Sequence, residues 1–227
     1  MKAHRILGIL SGLAVAALVA SSSASAQGLT ALAIEAAGKA AYMKGGAKPY
    51  LPIQVNVTRL SEGDVILTGP DSRVRLLIEG KTVPAEGGDP NQTTVDVQAR
   101  SKVQLRELLA TAQGGENVRI SIAQGQVISN VRKIDTNSER FEVETPTAVA
   151  AVRGTNYAAL VKWIRNTPKS QIKVNRGTVA LLDPITRINR RLMEEGEILE
   201  VAADGGISVP AAGAAPAAPG GGGPAGI

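Results

Sequence analysis

The chain has 227 residues and a formal net charge of +5, with no cysteine and a single histidine, His4. The lack of cysteine excludes both a disulfide-stapled fold and a lipoprotein anchor, which needs cysteine at its cleavage site. His4 lies in a segment that we predict to be cleaved. The mature chain would then lack both residue types that most often perform nucleophilic, acid–base and zinc chemistry. Composition therefore argues against an enzyme, and we predict no cofactor and no metal site.

The first 26 residues have the features of a cleavable signal peptide. Lys2 and Arg5 form a short basic region, residues 6–20 are apolar or small, and Ala24-Ser25-Ala26 is a cleavage motif. The alternative is an uncleaved membrane anchor, but fifteen apolar residues are fewer than the ~20 that a spanning helix needs. The sequence therefore predicts a periplasmic or secreted protein that begins near Gln27. No later stretch is expected to span a membrane.

Short alternations of apolar and polar residues fill most of the remaining chain, which is typical of strands with one buried face. They occur at Ile53/Val55/Val57, Val74/Leu76/Ile78, Val95/Val97, Val103/Leu105, Val118/Ile120/Ile122, Phe141/Val143, Ile172/Val174 and Val179/Leu181. Turn-forming residues separate the runs, among them Glu79-Gly80, Gly114-Gly115, Gln124-Gly125, Arg176-Gly177 and Asp204-Gly205-Gly206. This pattern predicts an all-β domain over residues 27–209. A twisted two-sheet sandwich or jelly roll is expected, with a β-solenoid as the alternative.

Three segments are less regular. Residues 29–37 are rich in alanine and fit a short helix, with Thr30 as its N-cap and Gly38 as its end, or no helix at all. Residues 103–112 fit one or two helical turns or a strand, and we expect a strand. Residues 210–227 are almost entirely alanine, glycine and proline, so we expect a disordered tail.

The most specific motif lies in residues 142–160, EVETPTAVAAVRGTNYAAL. A Thr145-Pro146 step, an apolar run and the triplet Arg153-Gly154-Thr155 follow one another between two strand-like runs. This order resembles the signature of the FecR periplasmic domain. Further segments match the family in the same order along the chain: GDVILTG at 63–69, SRVRL at 72–76, ARSKVQL at 99–105, GQV at 125–127, RGTV at 176–179 and EGE at 195–197. The resemblance spans roughly residues 38–209.

The FecR resemblance implies an interaction domain rather than a catalyst. The family gives its name to regulators that relay a signal to a sigma factor, using a periplasmic domain, a transmembrane helix and a cytoplasmic anti-sigma segment. This chain instead has a predicted cleavable signal and a Gly/Pro-rich tail, which puts direct control of a sigma factor in doubt. We expect a non-enzymatic exported envelope protein with an interaction, scaffold or signalling role. A module that binds cell-surface polysaccharide or acts as an adhesin is the alternative, and an uncharacterised enzyme is the second.

Two groups of residues are candidates for binding. The first is Arg153, Gly154 and Thr155, which would form either a structural corner or a ligand contact. In the corner, Arg153 pairs internally, Gly154 makes the bend and Thr155 closes it with its hydroxyl. The second lies in residues 162–191, which carry eight basic residues and one acid. Its candidate residues are Lys162, Arg165, Lys169, Lys173 and Arg176.

The basic residues predict a surface for another envelope protein or an anionic surface polymer. The alternative is a solvated polar face of two hairpins. Nucleic acid is disfavoured by export and by the lack of aromatic side chains, since only Trp163 lies in this stretch. A lone tryptophan could form a binding platform, but a core anchor is expected. Glu194, Glu195 and Glu197 are expected to be solvated, and GGDPN at 87–91 lacks the acidic ligands of a calcium loop.

Overall fold

The computed structural model describes residues 27–80, 92–111, 115–134, 139–152 and 154–210. These ranges contain eighteen strands and one 3-10 turn, Lys44–Gly46, and no α-helix. The predicted all-β class is therefore confirmed. No helix in these ranges is long and apolar enough to cross a membrane. The strands are β1 (Gln27–Gly28), β2 (Thr30–Ala37), β3 (Ala40–Met43), β4 (Leu51–Pro52), β5 (Arg59–Leu60), β6 (Val65–Thr68), β7 (Arg73–Glu79), β8 (Thr94–Val97), β9 (Lys102–Ala110), β10 (Glu116–Asn130), β11 (Arg140–Glu144), β12 (Val149–Val152), β13 (Asn156–Ile164), β14 (Thr167–Arg176), β15 (Val179–Leu182), β16 (Asn189–Met193), β17 (Ile198–Val201) and β18 (Ile207–Ser208).

The strands form two sheets. The first has the order β4-β3-β6-β9-β10-β11-β12-β15-β16, with β1 beside the end of β9. The second has the order β18-β17-β14-β13-β10-β8-β7-β2-β5. All pairs are antiparallel except β10 with β11. Within the described ranges, each of the four end strands pairs with one neighbour, so the sheets stay open. This arrangement is the predicted two-sheet sandwich, and nothing in it indicates a solenoid.

Strand β10 belongs to both sheets. Its first part pairs with β9 and β11, and from Gly125 onward it pairs with β13 and β8. Gly125 has φ +89°, and a Cβ there would lie 2.5 Å from Cα of Ser101. The predicted turn at Gln124-Gly125 is therefore wrong. The glycine redirects the strand instead of reversing it, because both halves of β10 find hydrogen-bonding neighbours.

The core lies between the two sheets and is continuous. Alternate residues along the strands point into it, as in β10, where Val118, Ile120 and Ile122 are buried. The largest fully buried side chains are Tyr157, Leu60, Ile66, Leu76, Leu105, Leu108, Ile120, Ile122, Ile172, Leu181, Met193 and Leu199. Burial raises the pKa of the Tyr157 hydroxyl far above its ordinary value. The strand expected within residues 103–112 is confirmed.

Of the two alternatives for residues 29–37, a short helix or no helix, the second is confirmed, because residues 30–37 form strand β2 and pair along their length with β7. One local expectation is wrong. The alternation Ile53/Val55/Val57 is not a strand. The amides of Val57 and Thr58 donate to the carbonyl of Gln54, which folds this segment into a turn and leaves Val57 63% exposed. The predicted signal peptide and nearly all of the predicted tail, residues 211–227, lie outside the described residues.

Candidate binding surface

The Thr-Pro step lies at a corner between the sheets, where Thr145 and Thr147 are buried and Pro146 is exposed. Strand β11 ends at Glu144, before Pro146, which cannot donate to a ladder. The Thr145 hydroxyl donates to the carbonyl of Ala148 (2.8 Å) and accepts from its amide (3.0 Å). Ser170 donates to Thr145 at 2.8 Å, and the Thr147 hydroxyl lies 2.6 Å from Ser170 and 3.0 Å from the carbonyl oxygen of Val201. These hydroxyls therefore tie β11 and β12 to the opposite sheet.

The second half of the signature forms another corner. Gly154 has φ +67°, and a Cβ there would lie 2.9 Å from Cα of Lys133. The Thr155 hydroxyl is buried and donates to the carbonyl of Thr178 at 2.8 Å. Gly154 and Thr155 thus occupy positions that hold the fold, while Arg153 lies outside the described residues. Their geometry gives this part of the motif a structural role.

The candidate basic residues lie along one long hairpin. Strands β13 and β14 are joined by Arg165 and Asn166, which both have positive φ, as a two-residue turn of type I′ requires. Lys162 and Lys169 lie directly opposite each other near this turn. Lys173 alternates with the buried residues of β14, and Arg176 ends the strand opposite Asn156. We call the outward side that carries Lys162, Lys169, Lys173 and Arg176, together with Arg165 at the turn, the hairpin face.

Most of the positive charges on the hairpin face have no acidic partner in the part of the chain that the structure describes. Lys169 forms an ion pair with Glu200 of the neighbouring strand β17. The other four cations of the hairpin face form no ion pair with another described residue. The face spans the ten residues of β14, which is ~33 Å of extended chain. An elongated, polar and positively charged surface results.

The rest of the basic stretch is used internally. Arg187 pairs with Glu142 (3.1 Å) and Glu144 on the outside of the first sheet. Arg190 pairs with Asp183, and Arg191 pairs with Glu197 at 2.6 Å. Among the described residues, the sequence cluster therefore divides after Arg176 into a part in which only Lys169 forms an ion pair and a part in which every arginine does.

Two carboxylates in this paired part have lowered pKa values. The amides of Thr186 and Ile185 donate to Asp183 and lower its pKa to about 2, with help from Arg190. The amide of Glu194 and the Arg191 guanidinium lower the pKa of Glu197. Glu197 therefore organises a turn, while Glu194 and Glu195 are exposed as expected. Asp89 and Asn91 lie outside the described residues.

Sequence reasoning missed an ion-pair network on the first sheet. Arg119 lies between Glu107 (3.2 Å) and Glu142 (3.3 Å), its register partners on the two neighbouring strands. Arg140 and Arg187 extend the network. These residues are far apart in sequence, so only the strand register could have revealed them. In this network the arginine charges are balanced by glutamates of neighbouring strands. The hairpin face differs, because most of its cations have no acidic partner within the described ranges.

Trp163 is not a core anchor, contrary to expectation. It is 50% exposed, and its indole N–H donates to the carbonyl of Ala123 at 2.9 Å. The hairpin extends beyond the end of the core, so the inward side of β13 becomes accessible there. Trp163 borders an open cleft of about 850 Å³.

The family comparison covers much of the sandwich. The model of the family described as FecR protein matches residues 64–180, just over half of the chain. No curated protein matches the chain. Two crystal structures of a candidate anti-sigma factor from Parabacteroides distasonis, at 1.65 Å and 2.50 Å resolution, are similar to it. They share 18% and 19% identity, with TM-scores of 0.43 and 0.42, over 63% of this chain and 57% of theirs. The family match shows that the chain belongs to the FecR protein family.

Proposed function

We propose that the protein is a non-enzymatic, exported envelope protein whose FecR-type sandwich acts by binding another envelope protein through the hairpin face. Membership of the FecR family supports a signalling or regulatory role rather than a catalytic one. The composition supports it too, because the only histidine is His4 and cysteine is absent. The role would therefore depend on a contact surface.

The observation that carries this proposal is the clustering of unpaired cations on one hairpin, since most described arginines elsewhere form ion pairs. In the described ranges, nine arginines form ion pairs: Arg59, Arg73, Arg75, Arg119, Arg132, Arg140, Arg187, Arg190 and Arg191. The hairpin face instead holds four cations without such partners, on two neighbouring strands and in the turn that joins them. Like charges gathered on one face attract a partner of opposite sign and steer its approach.

The shape of the face favours a protein partner. A specific protein interface buries about 800 Å² on each side. A two-stranded face ~33 Å long, flanked by polar residues such as Asn156 and Gln171, is a suitable part of such an interface. An acidic protein surface is the partner that the charges fit. An anionic surface polymer is the second candidate, favoured by the same unpaired charges.

Affinity capture from an envelope extract tests the proposal. The bait is the mature protein, residues 27–227, and the matched baits carry two charge-reversal triples. One reverses Lys162, Arg165 and Lys173 to Glu on the hairpin face. The other reverses Lys39, Lys48 and Arg106, which are exposed, form no ion pair with a described residue and lie elsewhere. Both triples change the net charge equally.

We expect the wild type and the control triple to capture the same protein and the hairpin triple to lose it. The captured protein must then bind the pure wild type in solution. Equal capture by both triples would refute the hairpin face as the contact surface. Loss of the captured protein from both triples would show that capture depends only on net charge. Retention of anionic polysaccharide but no protein would favour the second candidate.

Export is a separate part of the proposal. The cleavage motif Ala24-Ser25-Ala26 predicts that the mature protein begins at Gln27. N-terminal sequencing of the protein from the periplasmic fraction or the medium should therefore read Gln27-Gly28-Leu29. Recovery of a chain that begins at Met1 from the membrane pellet would contradict export by a cleaved signal.

A further inference from the structure

A second surface lies where β10 changes sheets. The pairing of β10 with β13 ends at Gly125 and Val161. The last residues of β13, 162–164, continue past this point without β10 beside them. They border the open cleft of about 850 Å³, whose other walls come from Asp71, residues 98–100 and residues 124–126. We call this space the Trp163 cleft.

The cleft presents one flat aromatic surface. Trp163 is the single tryptophan in a chain that has only three tyrosines and one phenylalanine besides. Its side chain is half exposed, and the hydrogen bond from its indole nitrogen to the carbonyl of Ala123 holds the ring in place. An indole held in this way keeps a large apolar face available at a low cost in conformational entropy.

Unpaired amides surround the ring. Gln98, Gln124 and Gln126 line the cleft, and none of their side chains forms a hydrogen bond to another described residue. The backbone is nevertheless fixed, since the amide of Gln98 donates to the carbonyl of Gln126 at 2.9 Å. A primary amide offers both a donor and an acceptor, which matches a ligand with neighbouring hydroxyl groups.

The charges in the cleft are mainly positive. Arg100 and Lys162 line it together with a single acid, Asp71, and none of the three forms an ion pair with a described residue. Arg100 has φ +55° and is held by a 3.0 Å hydrogen bond from its amide to the carbonyl of Gly69. A guanidinium binds a carboxylate through two parallel hydrogen bonds. The lining therefore suits a ligand that carries both hydroxyls and carboxylates.

We propose that the Trp163 cleft binds a segment of an acidic polysaccharide. One sugar ring packs its C–H face on Trp163, the glutamine amides bind ring hydroxyls, and Arg100 binds a uronate carboxylate. An acidic peptide would satisfy the charges but would leave the three amide side chains without matching groups. Single-stranded nucleic acid needs successive stacking platforms, and the cleft lining has one. The cleft shares Lys162 with the hairpin face, but its tryptophan, its glutamine amides and Arg100 lie outside that face, and its ligand is a sugar rather than a protein. This inference therefore goes beyond the proposed function.

Fluorescence of the only tryptophan gives a direct test. The mature protein is titrated with oligogalacturonate, with neutral dextran oligomers and polyphosphate as comparisons. We expect a saturable change in Trp163 emission with oligogalacturonate, little with dextran and none with polyphosphate. No saturable change with oligogalacturonate would overturn the proposal. An equal response to polyphosphate would also overturn it, because simple charge attraction would then suffice.

Matched variants locate the binding within the cleft. Gln98→Glu is nearly isosteric and places a negative charge against the ligand carboxylate, so it should weaken binding at least about tenfold, or about 1.4 kcal/mol. Gln54→Glu is the same change in an exposed turn away from the cleft and should leave the affinity unchanged. Equal affinity for both variants would overturn the assignment of the site.

Calorimetry measures ligand affinity for the variant at Trp163, which lacks the fluorophore, and for the variant at Arg100. Trp163→Ala should lose most of the binding while its melting temperature stays close to the wild-type value, because the side chain is half exposed. Arg100→Asn tolerates the positive φ and should weaken oligogalacturonate binding about tenfold, which is about 1.4 kcal/mol. Tighter binding of polyglutamate than of oligogalacturonate would show that the cleft prefers an acidic peptide to an acidic sugar, which would refute the proposal. Lys173→Glu, on the hairpin face, should have no effect on the sugar, so a failure here is distinguishable from a failure of the proposed function.

Discussion

Lys162 and Lys169 lie directly opposite each other across β13 and β14. Like charges in this position destabilise a strand pair. Glu200 neutralises Lys169, but Lys162 has no ion-pair partner among the described residues. The hairpin therefore retains a charge that does not favour folding, which is consistent with a role for that charge in binding.

Replacing Lys162 should separate stability from binding. Lys162→Glu places opposite charges across the hairpin, so the free energy of unfolding should rise by ~0.2–1 kcal/mol. Binding to the protein partner should weaken in the same variant. Urea denaturation and a binding titration measure the two effects, and Lys48→Glu, in an exposed loop, is the control for net charge. A variant that is less stable than the wild type would contradict the assigned opposition of the two lysines.

Replacing Gly125, where β10 passes from one sheet to the other, should destabilise the fold more than replacing Gly196. Gly125 and Gly196 have similar positive φ values, +89° and +84°, but only at Gly125 would a Cβ meet other atoms. Gly196→Ala should therefore cost about 1–2 kcal/mol from backbone strain alone. Gly125→Ala should cost a further ~1–3 kcal/mol, because Ser101 must move. Equal losses in thermal or urea unfolding would show that the close contact between β10 and Ser101 is wrong.

The buried hydroxyls of the Thr-Pro corner should stabilise the fold. Thr147→Val keeps the shape of the side chain and removes its hydroxyl, which lies within hydrogen-bonding distance of Ser170 and the Val201 carbonyl. We expect a loss of about 1–3 kcal/mol in the free energy of unfolding. Thr167→Val, the same change at an exposed position of β14, should be nearly neutral. A neutral Thr147→Val would mean that the corner is not held by its hydroxyls.

Asp183 should make stability depend on acidity. Its pKa is lowered from the ordinary 3.8 to about 2 in the folded protein, chiefly by the amides of Thr186 and Ile185. A carboxyl whose folded pKa is lowered stabilises the protein above its unfolded pKa, and this contribution is lost as the pH falls through the folded value. The melting temperature of the wild type should therefore fall more steeply between pH 3.8 and pH 2 than that of Asp183→Asn. Identical pH profiles would contradict this role.

The alternation of apolar and polar residues was enough to predict most strands, because every second side chain of a strand points to the same face of its sheet. Val74, Leu76 and Ile78 are buried in β7 as their spacing predicts. The same reasoning fails where the backbone turns for other reasons. Asn56, with φ +59°, lies in the turn that replaces the expected strand at 53–57. The path of β10 through Gly125 depended on neighbours that are distant in sequence.

The candidate surface was predictable only in outline. The sequence shows a basic stretch, but the partner of Lys169 is Glu200, which only the pairing of β14 with β17 brings close. Arg187 and Glu142 are likewise distant in sequence, and the order of the strands in the first sheet brings them within ion-pair distance. The exposure of Trp163 depends on how far the hairpin extends beyond the core. Such relationships follow from register and strand length rather than from local pattern.

The most direct test of the central claim is the affinity of the purified partner protein for the two charge-reversal triples, measured as a function of salt. The account predicts that reversal of Lys162, Arg165 and Lys173 raises Kd at least about tenfold, or about 1.4 kcal/mol. Reversal of Lys39, Lys48 and Arg106 should leave Kd close to the wild-type value. Wild-type affinity should also fall as the Debye length shortens from ~30 Å at 0.01 M salt to ~8 Å at 0.15 M. Equal Kd values for the two triples would contradict binding through the hairpin face.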